Sequence, residues 1–106
     1  MWIIEYYSES VQNEVLKLPR SLLAKYAHLT HLMEGFGPNL GMPHTKQLDG
    51  KLCELRLKGE EGIGRVFYCS VHENRIVMLH SFVKKTQKTP RKELDTARKR
   101  MNEVIS

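Results

Sequence analysis

Arg56, Arg65 and the pair Lys84 and Lys85 fall in three consecutive strand-like segments, and their types and spacing suit chemistry on a phosphate. In the segment Leu52 to Lys58, alternation places Glu54, Arg56 and Lys58 on one face. Arg65 stands in the run GIGRVFY, where an arginine is costly to bury unless it is paired or faces a cleft. Lys84 and Lys85 end the last of the three segments. If these strands are neighbours, Arg56, Arg65 and one of the lysines converge on an exposed patch of sheet. Three converging cations would hold a phosphodiester for in-line attack and stabilise the charge that develops on its oxygens. Two plainer readings compete with this one. Arg65 could form an ion pair with Glu54, Glu60 or Glu61, and the two lysines could be charge placed at a strand end for solubility and edge protection. His80 has the side chain of a general acid or base, yet its place between Leu79 and Phe82 favours a hydrogen-bonded core residue.

The charge of the chain is concentrated around these groups. From Lys84 to Arg100 there are eight basic residues against two acidic ones, in a chain whose net charge is +5. A dense positive field beside a sheet edge suits a polyanion, because phosphate neutralisation and counterion release drive sequence-independent nucleic-acid binding. A solvated helix face is the alternative.

The 106 residues are expected to form one domain, residues 1–106, with a single core. The apolar and charged fractions, 41% and 27%, are those of an ordinary globular protein, and no apolar run approaches the roughly 18 residues that span a bilayer. The first ten residues lack a basic leader and include Glu5 and Glu9, so cytoplasmic residence is expected. Cys53 and Cys69 lie in apolar segments as small core side chains, and no disulfide is expected. The five histidines show no metal-ligand spacing, so neither a metal nor another cofactor is expected. His28, His31 and His44 are read as surface residues. Tyr6, Tyr7 and Tyr68 are read as packing residues able to stack on a base at a groove rim.

The elements that must position these residues follow from pattern. Trp2 to Tyr7 is β-branched and aromatic, as in a strand. Ser8 caps a helix carrying Val11, Val15 and Leu18 on one stripe, which Pro19 interrupts. A second helix presents Leu22, Tyr26, Leu29, Met33 and Phe36 on one face and stops at Gly35, Gly37 and Pro38. Residues 37–50 read as loop. Three strands of a meander follow, the first with Leu52, Cys53, Leu55 and Leu57 toward a core and its charged residues outward. GEEG at Gly59 to Gly62 and the residues His72 to Asn74 make the turns. Thr89 and Pro90 begin a last helix with Leu94, Ala97, Met101 and Val104 buried. The predicted class is α+β, in the order β-α-α-β-β-β-α.

The succession LxELRxKGxxGIxRVFY, a short turn, then RIVxLHxFVKKTQKTPxxExxxARKR, resembles the HigB-like, phage-associated branch of the RelE/ParE superfamily of small bacterial toxins. The resemblance covers essentially the whole chain and implies a helical hairpin packed on a curved antiparallel sheet of about four strands. It makes Arg65 the sheet arginine at the scissile phosphate and Lys85 the second cation. It places Arg56 and Lys58 where RelE-like toxins carry basic residues on the preceding strand, with Lys84 flanking the site. Near the C-terminus, where a catalytic tyrosine or histidine commonly occurs, this chain has Arg91.

The implied function is that of a toxin in a toxin–antitoxin pair, a metal-independent and ribosome-dependent endonuclease of mRNA that inhibits translation. Arg56, Arg65, Lys85 and His80 would form its catalytic set. Lys58, Lys84, Lys88, Arg91 and Lys92 would bind the RNA backbone, and the partners would be mRNA, the ribosome and a helix-turn-helix antitoxin. The rival readings are a non-cleaving inhibitor of DNA gyrase of the ParE kind and a non-toxic nucleic-acid-binding protein.

Overall fold

The computed structural model describes residues 1–84 and 88–105, and Lys85 therefore lies outside the described residues. The chain runs β1 (Ile3–Tyr6), α1 (Glu9–Leu16), α2 (Arg20–Phe36), β2 (Thr45–Asp49), β3 (Leu52–Gly59), β4 (Gly62–Val71), β5 (Arg75–Lys84) and α3 (Arg91–Ile105). One five-stranded sheet has the order β1-β5-β4-β3-β2, with β1 parallel to β5 and the other neighbours antiparallel. The sheet thus has one strand more than expected and is mixed.

The extra strand is β2, in the stretch 37–50 read as loop. Thr45 is buried and Leu48 half-buried, while Lys46, Gln47 and Asp49 are exposed. An edge strand with charge and little apolar alternation carries no period-two signal, and such charge guards an open edge against pairing.

Both faces of the sheet are covered, each by its own core. Val11 and Val15 of α1, Leu22, Tyr26, Leu29 and Met33 of α2, and Leu55, Leu57, Val66, Tyr68, Ile76 and Met78 of the strands pack together. On the opposite face Leu52, Phe67, Cys69, Val77 and Leu79 pack under Ala97, with Leu94, Met101 and Val104 of α3 half-buried around them. Two expectations fail here. Leu52 faces α3 and not the core of Leu55 and Leu57, because its position in the pleat matches that of Glu54. Phe36 is 79% exposed, because the apolar stripe of α2 leaves the sheet before its last residue.

Local signals explain the helix starts. Ser8 accepts from the backbone N–H of Val11 at 3.2 Å, as expected of an N-cap. Pro19 gives α2 no side-chain cap, and a carboxylate from the β3–β4 turn replaces it. Glu61 accepts from the Ser21 N–H at 2.7 Å, and the Ser21 hydroxyl accepts from the Glu61 N–H at 3.2 Å. The turn comes this close because Gly59 has no side chain: a Cβ there would stand 2.6 Å from the Ser21 Oγ.

The cysteines are free, Cys69 buried and Cys53 half-buried on the opposite face. Burial pushes the Cys69 thiol up to about 11. Among the described residues, no helix is long and apolar enough to cross a membrane.

Replacing Glu61 by Ala should cost about 1 kcal/mol in chemical denaturation, the usual worth of a helix cap. Burial raises the phenols of Tyr26 and Tyr68 above the ordinary 10.0. The folded state therefore holds these protons more tightly, so stability should be full below pH 10 and fall as the pH rises beyond it. Tyrosinate absorbance and circular dichroism should then report one shared alkaline transition.

Candidate functional site

The registers of β2 to β5 set the side chains that face α3 in rows. Lys58, Ile63 and Lys84 form one row, Arg56, Arg65 and Phe82 the next, and Lys46, Glu54, Phe67 and His80 the third. Rows below the third lie under α3, through Leu52, Cys69, Val77 and Leu79. In the first two rows Phe82 packs against that core, and the same rows carry Arg56, Lys58, Arg65 and Lys84, with Lys46 in the third.

Arg56 and Arg65 are directly opposite each other, a like-charge cross-strand pair that is unfavourable unless something answers it. Glu54 does. Its carboxylate lies 3.5 Å from Arg65 Nε and 3.7 Å from Arg56 Nε. Glu54, expected to face outward, is only 6% exposed, and Arg65 only 5%. An ion pair of Arg65 with Glu54 was one of the readings the sequence left open, and it is present. The pairing is incomplete: Arg65 donates from one terminal nitrogen to the Gly64 carbonyl at 2.9 Å, while among the described residues its buried Nε–H has no hydrogen-bond partner.

Burial lowers the Arg65 guanidinium from its usual value, with Glu54 opposing and Arg56 adding to the shift. Lys84 is lowered as well, first by burial and then by Arg65, with Arg56 and Lys46 adding to it and Glu54 opposing. Four cations from four strands therefore feel one another around a single carboxylate. Lys46, on the unexpected strand β2, belongs to this set although no sequence signal marked it.

Arg56 and Arg65 also line a cavity of about 560 Å³ with Lys25, Pro43, His44, Leu57, Lys58 and Ile63. His44, read as a surface residue, is half-buried there, because its carbonyl accepts from the Arg56 N–H at 2.8 Å and continues the β2–β3 pairing. A second cavity, of about 550 Å³, lies around Thr45, Cys53, Tyr68 and Ser70, and neither Arg56 nor Arg65 lines it.

The remaining candidates divide. A register shift between Phe67 and Tyr68 makes Leu79 an extra residue, so that both Leu79 and His80 turn toward α3. His80 Nε2 is 3.1 Å from Glu93, and its Nδ1 is 3.4 Å from Arg100. An arginine can only donate, so Nδ1 accepts and Nε2–H donates to Glu93. Arg100 also donates to the Leu79 carbonyl at 2.9 Å and lies over the ring of Tyr7, whose hydroxyl donates to Glu103. His80 therefore ties α3 to the sheet, in keeping with the hydrogen-bonded reading. Lys58, Lys88, Arg91 and Lys92 are exposed. Arg91 lies 4.0 Å from Asp95, its side chain turned to solvent. Arg98 is engaged with Asp49 at 2.6 Å, so part of the basic run is structural.

Comparison with known proteins gives a family and a fold. Residues 13–102 match the family of phage-derived Gp49-like proteins (DUF891). The chain belongs to that family. No curated protein sequence matches it significantly. Among solved structures, the free state of an arginine-to-alanine double mutant of the E. coli toxin RelE has the same fold, with a TM-score of 0.57 at 13% identity over 94% of this chain and 97% of that one. The RelE-like fold that the sequence resemblance implied for this Gp49-like protein is borne out, and so is the α+β class.

Removing one partner of a buried ion pair leaves an uncompensated charge. Glu54→Gln should therefore destabilise the Gp49-like chain by about 3 kcal/mol, and a Glu54→Met, Arg65→Met double variant should recover most of the loss, as measured by urea denaturation.

Proposed function

We propose that this Gp49-like protein is the toxin of a toxin–antitoxin pair and acts in the cytoplasm as a metal-independent endonuclease of ribosome-bound mRNA. One observation carries the reading: Lys46, Arg56, Arg65 and Lys84 gather around Glu54, and among the described residues the buried Nε–H of Arg65 makes no hydrogen bond. A phosphodiester would supply the acceptor and the negative charge that this cluster lacks.

In the proposed reaction Glu54 takes the proton of a ribose 2′-hydroxyl as its oxygen attacks the adjacent phosphorus. Arg65 and Lys85 stabilise the charge on the phosphoryl oxygens, and Arg56 orients the phosphate. The products are a cyclic phosphate and a free 5′-hydroxyl. Lys58, Lys84, Lys88, Arg91 and Lys92 would bind the RNA or ribosomal RNA backbone. A helix-turn-helix antitoxin would restrain the cationic hollow in the uninduced cell.

A non-cleaving inhibitor of gyrase is the second reading, and one observation favours it: Glu54 already answers Arg65 inside the fold. Separate methionine and thymidine incorporation on induction distinguishes the two, since a nuclease stops the first and a gyrase poison the second. Purified protein added to programmed ribosomes should cut mRNA and leave a message with 2′-deoxynucleotides at the cut site intact. Arg56→Ala and Lys85→Ala, which keep the buried pair, should each lower cleavage by at least about 100-fold. Undiminished cleavage by both variants would remove the site.

A further inference from the structure

We propose that His44 is the general acid of this site, donating a proton to the departing 5′-oxygen. The inference rests on the nuclease reading and assigns the one role that reading leaves empty.

Cleavage by a 2′-hydroxyl needs two proton transfers. One removes the hydroxyl proton as the 2′-oxygen–phosphorus bond forms. The other protonates the 5′-oxygen as the phosphorus–5′-oxygen bond breaks, and without it an alkoxide must leave. Glu54 can serve the first transfer. The obvious sources for the second are occupied or absent. His80 is committed to Glu93 and Arg100. Arg91, at the C-terminal position the superfamily uses, is a guanidinium turned to solvent and cannot give up a proton at neutral pH. His28 and His72 are exposed, and His31 lies 3.8 Å from Glu34. Among the described residues, the buried phenols of Tyr26 and Tyr68 are engaged with Tyr6 and with the Pro38 carbonyl.

His44 is differently placed. It lines the cavity walled by Arg56 and Arg65, and among the described residues its imidazole makes no hydrogen bond or ion pair. The Arg56 N–H bond to its carbonyl sets it beside Arg56, whereas Lys46 sits beside Glu54. His44 and Glu54 are thus offset by two residues along the strand direction, about 7 Å, and lie on neighbouring chain segments, each next to Arg56. A phosphate held by Arg56 and Arg65 would have Glu54 in the next row of β3 and the imidazole beside Arg56 on the β2 side, and in this proposal the two serve the two proton transfers. Lys25, Arg56, Lys58 and Arg65 all face the cavity, so the bound phosphate is the counter-charge that an imidazolium there would need. At the end of the step Glu54 holds the 2′-proton and His44 is neutral, and exchange with solvent restores both.

The test is single-turnover cleavage of mRNA on ribosomes by the wild-type chain and by His44→Gln. The variant should fold and bind RNA as the wild type does, cleave about 100-fold or more slowly, and lose the alkaline limb of the pH–rate profile. A substrate with sulfur in place of the bridging 5′-oxygen has a leaving group that needs no acid. It should restore the variant to near the wild-type rate, leave Arg56→Ala slow, and flatten the alkaline limb of the unmodified protein. Cleavage of ordinary mRNA by His44→Gln at the wild-type rate overturns the assignment while leaving the nuclease reading intact, and so does a slow variant that sulfur does not rescue. A wild-type chain that leaves mRNA whole on ribosomes overturns the nuclease reading itself, and this assignment with it.

Discussion

The guanidinium of Arg65, buried on the sheet face opposite Arg56 and answered by one carboxylate, is the constraint on which the arrangement depends. Burying charge and opposing like charges across strands are both unfavourable, so the cluster contributes little to folding by itself. It survives because two apolar cores hold the backbone of β3, β4 and β5 in place. The lowered guanidinium of Arg65 and ammonium of Lys84 record the tension that remains. Groups held this way are typical of sites whose missing neighbour is a ligand.

The sheet divides its α3 face between structure and chemistry. Toward one end, Leu52, Phe67, Cys69, Val77 and Leu79 are sealed by α3, a strongly charged helix in which, among the described residues, only Ala97 is fully buried. Polar contacts supplement that limited apolar seal: His80 with Glu93, Arg100 with the Leu79 carbonyl, Arg98 with Asp49. The basic run of the sequence is thus two things. Arg98 and Arg100 fasten the helix, while Lys88, Arg91 and Lys92 remain at the surface. A formal charge count over that run overstates what it offers to a polyanion.

On the other face, α1 lies against β5 and α2 against β3. Gly59 lets the start of α2 touch the β3–β4 turn, and Glu61 completes that helix end. The same hairpin carries Arg56 and Arg65, so the capping contact helps hold the two arginines in register. The fold shared with RelE at 13% identity shows how little side-chain identity this backbone arrangement needs.

Much of the fold was legible in the chain alone, for local reasons. Ser8 caps α1 because a short hydroxyl reaches its own helix start, and Leu22, Tyr26, Leu29 and Met33 lie on one stripe because the helix repeats every 3.6 residues. The strand bearing Arg56 declares itself by alternation of apolar and charged residues, and those bearing Arg65 and Lys84 by β-branched and aromatic runs. Edge strand β2 did not, since most of its side chains meet water and its identity rests on pairing with β3. What no local pattern decides is which side of the pleat is dry at a given height. Alternation set Glu54 apart from Leu55, but both faces of this sheet are buried, and the carboxylate came to rest inside, against two arginines. In the same way, the single backbone bond from Arg56 to His44 turned a loop histidine into a cavity wall. Residue types and periodicity, which act within a turn or a strand, were determined by the sequence. Proximity between groups far apart in the chain, and the dielectric around them, came only from packing.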